Sequence, residues 1–158
     1  MSKIIFNGST HQITLVDGNG NNIGSWAAYN NVDSHATLTH IKNGTYIFQD
    51  RVHPHRHHSA TADTTDGPYG MYGIYRFSVP GHPGIGLHSG RAHARHAPGP
   101  QHATMGCIRT SDEGIAAVIK MASTSPLTTI EVIGNTGRAA HAATKRNHHQ
   151  SLHNRHYG

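Results

Sequence analysis

Cys107, the only cysteine in this 158-residue chain, is the side chain best suited to covalent chemistry. A thiolate is the strongest nucleophile that a side chain offers near neutral pH, and a histidine beside it can take its proton. His88 is the histidine that we expect there, because it ends a short run with strand character at residues 84–87. The pair predicts a cysteine nucleophile with a histidine base. The alternative is a small buried Cys107 and an ordinary polar residue at a strand end.

Short strands separated by turns must position these two residues. Runs rich in β-branched and aromatic residues at 4–6, 12–16 and 23–29 are separated by Asn-Gly and Asp-Gly turns, which predicts an opening β-meander. Further runs with strand character follow at 40–50, 69–80, 84–87 and 127–133, and residues 69–80 have the strongest strand character in the chain.

One helix is predicted directly after the cysteine. Thr110 and Glu113 have the spacing of a capping box, and the helix is expected to end near Ser123. Its apolar face is formed by Ile115, Val118, Ile119 and Ala122. The positive end of its dipole would lie a few residues beyond Cys107 and favour a thiolate, as a weaker effect than a neighbouring imidazole.

The histidines of a long aperiodic segment, residues 51–67, offer a different chemistry. They are His53, His55, His57 and His58. Neutral imidazole is a common metal ligand, but a closed zinc site needs four ligands held by rigid elements, and this cluster contains neither carboxylate nor thiol. We therefore predict no metal and no cofactor. A His-rich metal-binding or metallohydrolase domain remains an alternative function.

The net charge of +5 is concentrated at the end of the chain. Residues 1–137 contain nine Lys and Arg against eight Asp and Glu, a net charge of +1, while residues 138–158 contain four basic residues and no acid. The first segment is predicted to be one domain and the second a flexible, basic, His-rich tail. A domain without a basic stripe is not expected to bind nucleic acid. No apolar run is long enough for a secretory signal or a membrane span.

The central stretch resembles the catalytic motif of YkuD-type L,D-transpeptidases. In that motif a His precedes a Ser or Thr, usually a second His, then Gly-Cys and commonly Arg or Asn. Here fifteen residues separate His88 from Thr104, and the second part reads Thr104-Met105-Gly106-Cys107-Ile108-Arg109. The resemblance extends more weakly over residues 1–134.

The resemblance implies a role for each matching residue. Cys107 would be the nucleophile and His88 its base, with Ser89 orienting the imidazole. Arg109 would either anchor a substrate carboxylate or hold the loop, and both roles remain open.

Other residues of the motif would bind substrate. Gly106 and Gly90 allow close approach of the backbone, and Thr104 begins the cysteine segment. Met105 departs from the pattern because it stands where many members carry the second His. His102 or another histidine of the loop could take the place of that His.

The family's fold is mainly β, so we expect a YkuD-like β-sandwich or barrel with one helix after the catalytic cysteine. The implied substrate is the tetrapeptide stem of peptidoglycan. The acyl-enzyme could then undergo crosslinking, exchange with a D-amino acid, or hydrolysis. A non-catalytic peptidoglycan-binding module is another alternative.

The features of the chain also resemble antibacterial effectors of type VI secretion. These are short strands separated by Gly and Asn, a small domain, and no signal peptide. That likeness implies synthesis in the cytoplasm and delivery through a secretion apparatus to the periplasm of a target bacterium. It also implies a cognate immunity protein as a partner.

Overall fold

Short strands form most of the regular structure in the computed structural model, which describes residues 1–56 and 64–136. Within those residues there are eight strands and one α-helix. The strands are β1 (Ser2–Asn7), β2 (Gln12–Val16), β3 (Asn22–Tyr29), β4 (Gly44–Ile47), β5 (Tyr75–Arg76), β6 (Gly86–His88), β7 (Ile108–Thr110) and β8 (Leu127–Ile133). The helix α1 spans Asp112–Thr124, and a short 3-10 helix spans Gly99–Gln101. The tail 138–158 lies outside the described residues.

The strands form one curled sheet in the order β4-β8-β1-β2-β3-β7-β6-β5. The predicted opening meander is confirmed, since β1, β2 and β3 pair antiparallel in succession. The predicted closing strand is also confirmed, and it lies parallel to β1. The fold is therefore mainly β with one helix after Cys107 in the described chain, as the sequence predicted.

Alternation of buried and partly exposed residues along β1 and β2 explains where the core lies. Ile4 and Phe6 of β1 and Ile13 and Leu15 of β2 are fully buried. Residues two apart point to one face of a strand, so these four side chains form a single apolar surface. The core also includes the apolar face of α1, from Ile115 to Ala122. Burying one such side chain stabilises the fold by about 1.5–3 kcal/mol.

The prediction of a long strand over 69–80 was wrong, because only Tyr75–Arg76 forms strand there. Gly70 and Gly73 have φ angles of 79° and 95°, which end any extended run before residue 74. A Cβ at Gly70 would collide with the Ser89 hydroxyl. The glycine therefore lets this turn pack directly against the residue after His88.

The N-terminal cap of α1 also differs from the prediction. Ser111 is the N-cap, and its hydroxyl accepts a hydrogen bond from the Gly114 amide at 3.1 Å. Thr110 instead ends β7, and its hydroxyl donates to the Ala27 carbonyl at 2.7 Å. Cap signals spaced one residue apart are hard to separate in a sequence, and the pairing of β7 with β3 decides between them here.

The helices of the described segments are too short or too polar to cross a lipid bilayer.

Candidate active site

Parallel pairing of β6 and β7 brings the predicted nucleophile and base together. His88 is opposite Arg109 in this ladder, and Leu87 is opposite Ile108. Cys107 directly precedes β7, and it lines the same cavity as His88. Residues distant in sequence thus become neighbours through the ladder.

The His88 ring is fixed from two sides. Its Nδ1 lies 2.7 Å from the Ser89 carbonyl oxygen, and the edge of the ring meets Tyr69 with centroids 4.8 Å apart. A carbonyl only accepts hydrogen bonds, so Nδ1 carries the proton and Nε2 is the basic nitrogen of the neutral ring. The side chain is 2% exposed. The geometry leaves Nε2 as the atom that can act as a base.

Ser89 contacts the imidazole through its carbonyl, while its hydroxyl points to α1. The hydroxyl donates to Asp112 Oδ1 at 2.6 Å. Asp112 also accepts a hydrogen bond from Thr65 through Oδ2. The first residue of the helix therefore connects the segment after His88 to the segment before Tyr69.

Burial dominates the chemistry of the Cys107 thiol, which is 8% exposed. Desolvation raises its pKa above the ordinary thiol value, while the Gly86 amide and the Arg109 charge lower it by smaller amounts. Sγ lies 3.9 Å from the Gly84 carbonyl oxygen. The resting thiol is therefore protonated at neutral pH, in contrast to the thiolate expected from the sequence.

Arg109 is a buried clamp between loops, with 3% exposure. Nε donates to the Ser89 carbonyl at 3.3 Å, and Nη2 donates to Pro68 at 3.0 Å. Nη1 donates to the carbonyls of His102 at 2.7 Å and Ala103 at 3.2 Å. Burial lowers the pKa of the guanidinium to about 9, so it stays charged at neutral pH. Of the two roles left open, these contacts fit the one that holds the loops.

Thr104 closes the turn that leads to the nucleophile. Its hydroxyl donates to the Cys107 carbonyl at 2.7 Å and accepts from the Gly106 amide at 3.1 Å. Gly106 has a φ of 137°, and a Cβ there would lie 2.9 Å from the Ile85 side chain. The glycine is required by both backbone conformation and space.

Asn30 is a site residue that the sequence analysis missed. Its Nδ2 donates to the carbonyls of Gly106 at 2.9 Å and Cys107 at 3.1 Å. Its Oδ1 accepts from the Ile41 amide at 2.8 Å and from Asn135 at 3.0 Å. One buried amide thus joins the nucleophile turn to two distant segments, and no local sequence signal marks it.

His102 and Gly90 occupy the loop between β6 and β7. His102 is 1% exposed, and its Nδ1 lies 2.9 Å from the His96 carbonyl oxygen. Burial lowers the pKa of this imidazole, so it is neutral at neutral pH. Gly90 has a φ of 111°, and any Cβ there would collide with the Gly67 carbonyl. Both residues therefore help to fix the conformation of the loop that borders Cys107.

A cavity of about 340 Å³ opens over Cys107. Five of the predicted site residues line it: His88, His102, Thr104, Cys107 and Arg109. Ser89, Gly90 and Gly106 are not among the residues that line this cavity. The other lining residues are Asp33, His35, Pro68, Tyr69, Ala103 and Met105, which the sequence analysis did not assign to a site except for noting Met105.

The described part of the alternative metal cluster does not form a ligand set. Across residues 1–56 and 64–136, no group of three or more His, Cys, Asp or Glu side chains is arranged to hold a metal ion. His57 and His58 lie outside those residues.

Comparison of the chain with known proteins gives matches in structure but not in sequence. No family model and no curated protein matches the sequence. A Bdellovibrio bacteriovorus protein, Bd1075, superposes with a TM-score of 0.60 at 14% identity, over 96% of this chain and 54% of that one. The Stackebrandtia nassauensis L,D-transpeptidase superposes with a TM-score of 0.54 at 16% identity, over 85% and 56%.

A third similar structure is an L,D-transpeptidase from Xylanimonas cellulosilytica, with a TM-score of 0.55 at 13% identity, over 83% of this chain and 59% of that one. The chain has the L,D-transpeptidase fold. It spans between half and two thirds of the length of these solved structures.

Proposed function

We propose that this protein is a cysteine acyltransferase that acts on the tetrapeptide stems of peptidoglycan. The observation that supports the proposal is that His88, at the end of β6, and Cys107, directly before β7, line one cavity. The fold shared with L,D-transpeptidases supports the substrate class.

The proposed reaction begins with a neutral thiol. As Sγ of Cys107 attacks the carbonyl carbon of the third-position diamino acid, Nε2 of His88 takes the thiol proton. We assign the oxyanion to the Cys107 amide, because the Gly106 amide already donates to Thr104. His88 then gives the proton to the nitrogen of the departing D-alanine. The carbon–nitrogen bond breaks and a thioester to Cys107 remains.

The thioester has three possible fates under this proposal. An amine of a second stem gives a crosslink, a free D-amino acid gives exchange, and water gives the tripeptide. In each case the new bond to carbon forms as the carbon–sulfur bond breaks, and the proton of the incoming nucleophile returns to the thiol through His88. The protein is thus a transpeptidase, an exchange enzyme or a carboxypeptidase according to its acceptor.

Mass spectrometry of tetrapeptide muropeptides tests this proposal directly. We expect the wild-type protein to convert them to tripeptides, exchanged tetrapeptides or dimers, with D-methionine present as an added acceptor. The variant Cys107→Ala should lower turnover at least about 1000-fold, because the nucleophile is lost. Unchanged muropeptides with folded wild-type protein would overturn the proposal. Binding without conversion would indicate a peptidoglycan-binding module, and loss of activity on chelation would indicate a metallohydrolase.

We further propose that the enzyme is an antibacterial toxin delivered through a type VI secretion apparatus and neutralised by an immunity protein. The support is the resemblance of the sequence to such effectors. Expression with a periplasmic export signal should lyse or misshape the host, whereas cytoplasmic expression and exported Cys107→Ala should not. Equal growth of all three strains would contradict the toxin role.

A further inference from the structure

A second titratable pair lies at the Cys107 cavity. Asp33 Oδ1 accepts a hydrogen bond from the His35 amide at 2.8 Å and lies 3.0 Å from His35 Nδ1. A carboxylate accepts only, so Nδ1 carries the proton of this contact, and Nε2 holds a lone pair whenever the ring carries no second proton. The Ser34 hydroxyl lies 3.3 Å from the same Nδ1. The Asp33 side chain is 10% exposed and that of His35 is 41% exposed, so the imidazole reaches solvent at the mouth.

The cavity lining carries one negative and one positive charge, and the negative charge lies at this pair. Asp33 is the one carboxylate among the described residues that line the cavity. Arg109 is the one Lys or Arg among them, and its nitrogens donate to main-chain carbonyls. Oδ2 of Asp33 has no hydrogen bond within the described chain, which leaves it available for another donor.

The pair is also held in a fixed position relative to the nucleophile. The Asp33 amide donates to the Thr104 carbonyl at 2.7 Å, and the Thr104 amide donates to Asn31 at 2.8 Å. The Asn31 side chain donates to the Gln101 carbonyl at 3.0 Å. Because the Thr104 hydroxyl donates to the Cys107 carbonyl, the segment that carries Asp33 is joined to the turn that carries Cys107.

We propose that Asp33 and His35 form an acceptor-side dyad, which binds the ammonium group of the incoming nucleophile and takes its first proton. This inference rests on the proposed acyl transfer. His35 Nε2 would contact the ammonium, and Asp33 is a positioning residue that holds the imidazole in the required tautomer and stabilises its charged form.

The dyad would remove the extra proton that an amine acceptor carries before it attacks the thioester. A primary amine is an ammonium ion at neutral pH and cannot attack until one proton leaves. In the proposed step His35 takes that proton, the nitrogen bonds to the thioester carbon, and the carbon–sulfur bond breaks. The second proton passes through His88 to the Cys107 sulfur, and His35 returns its proton to water. Amines are thereby favoured over water as acceptors.

Partition of the thioester between two products measures this role. Tetrapeptide muropeptides are incubated with D-methionine at neutral pH, and the ratio of exchanged tetrapeptide to tripeptide is determined by mass spectrometry. We expect the ratio to fall about 100-fold in His35→Gln and about tenfold in Asp33→Asn. Hydroxylamine is uncharged at neutral pH. With hydroxylamine as the acceptor, the ratio of hydroxamate to tripeptide should be the same in both variants as in the wild type.

A second Asp–His pair provides a matched control. Asp66 Oδ1 accepts from the His93 amide at 2.9 Å and lies 3.0 Å from His93 Nδ1, but neither residue lines the Cys107 cavity. The variants Asp66→Asn and His93→Gln should keep the wild-type ratio. Circular dichroism checks the fold of each variant. If one dyad variant fails to fold, the other decides, since the side-chain carbonyl introduced by Asp33→Asn can still accept from the His35 amide.

Each outcome separates the inference from the proposed function. Wild-type protein that releases neither product contradicts the acyl transfer itself. Wild-type protein that gives only tripeptide, or dyad variants with an unchanged ratio, overturns the dyad while the acyl transfer stands. If the ratio of hydroxylamine product to tripeptide falls by the same factor in the variants, the dyad is also overturned. Such a fall would reflect distorted structure rather than proton transfer.

Discussion

The two halves of the sheet differ in the length of their strand pairing. On one side, β1 pairs with β8 over six residue pairs and with β2 over five, above a core of fully buried apolar side chains. On the other side, β6 pairs with β7 over only two. There, side chains such as Arg109 and Asn30 donate to main-chain carbonyls and hold the loops. Leu87 of β6 and Ile108 of β7 are also fully buried, so both halves contribute to stability, while the geometry around Cys107 depends on the short ladder and on these hydrogen bonds.

Phe6→Ala should produce the largest loss of stability. Phe6 is fully buried in β1, and removal of such a ring costs about 3–5 kcal/mol of unfolding free energy because a cavity remains. Urea denaturation measures the loss. Turnover per folded molecule should stay at the wild-type value. A large fall in turnover would show that the packing of β1 also sets the geometry around Cys107.

Arg109→Lys should lower both the stability and the activity of the protein, with the greater effect on activity. A lysine ammonium cannot reach carbonyls on three segments, so buried acceptors lose their donors at a cost of about 2–3 kcal/mol. Turnover in the muropeptide assay should fall more than about tenfold, because the walls around Cys107 shift. The exposed Arg95 offers a control: Arg95→Lys should change stability by less than about 0.5 kcal/mol.

The smallest expected effect is a shift in the reactivity of Cys107 with pH. Because burial raises the pKa of the folded thiol, its ionisation occurs at higher pH than in the unfolded chain. Alkylation of folded protein should therefore be slower than that of urea-unfolded protein at neutral pH, and should accelerate only at pH values above the ordinary thiol range. Fast labelling of folded protein near neutral pH would instead show a preformed thiolate.

The contrast between the two sides also explains what the sequence could predict. Alternation along β1 and β2 and the turns between them are local signals, and they were interpreted correctly. The extended run at 69–80 was misjudged because Gly70 must pack against Ser89, nineteen residues away. The sequence pattern within a short window does not predict such a long-range contact.

The candidate site also contains features that local sequence signals reveal and features that depend on contacts between distant segments. His88 and Cys107 were selected from residue type, order and spacing, because few side chains can perform that chemistry, and the structure brings both to one cavity. The sequence did not point to the contacts of Asn30 with the Gly106 turn or to the position of Asp33 and His35 at the cavity, because both depend on the pairing of segments far apart in the chain. The raised pKa of Cys107 was also missed, since its main cause is burial, which depends on the packed structure.

The connection between β6 and β7 has a consequence for how such proteins can diversify. The ladder, and not the length of residues 89–107, sets the position of His88 relative to Cys107. Insertions or deletions within the exposed stretch around His93 and Arg95 would leave that relation intact, provided that the anchors at His102 and Ala103 remain. The length and sequence of this loop can therefore vary while His88 and Cys107 keep their relative positions.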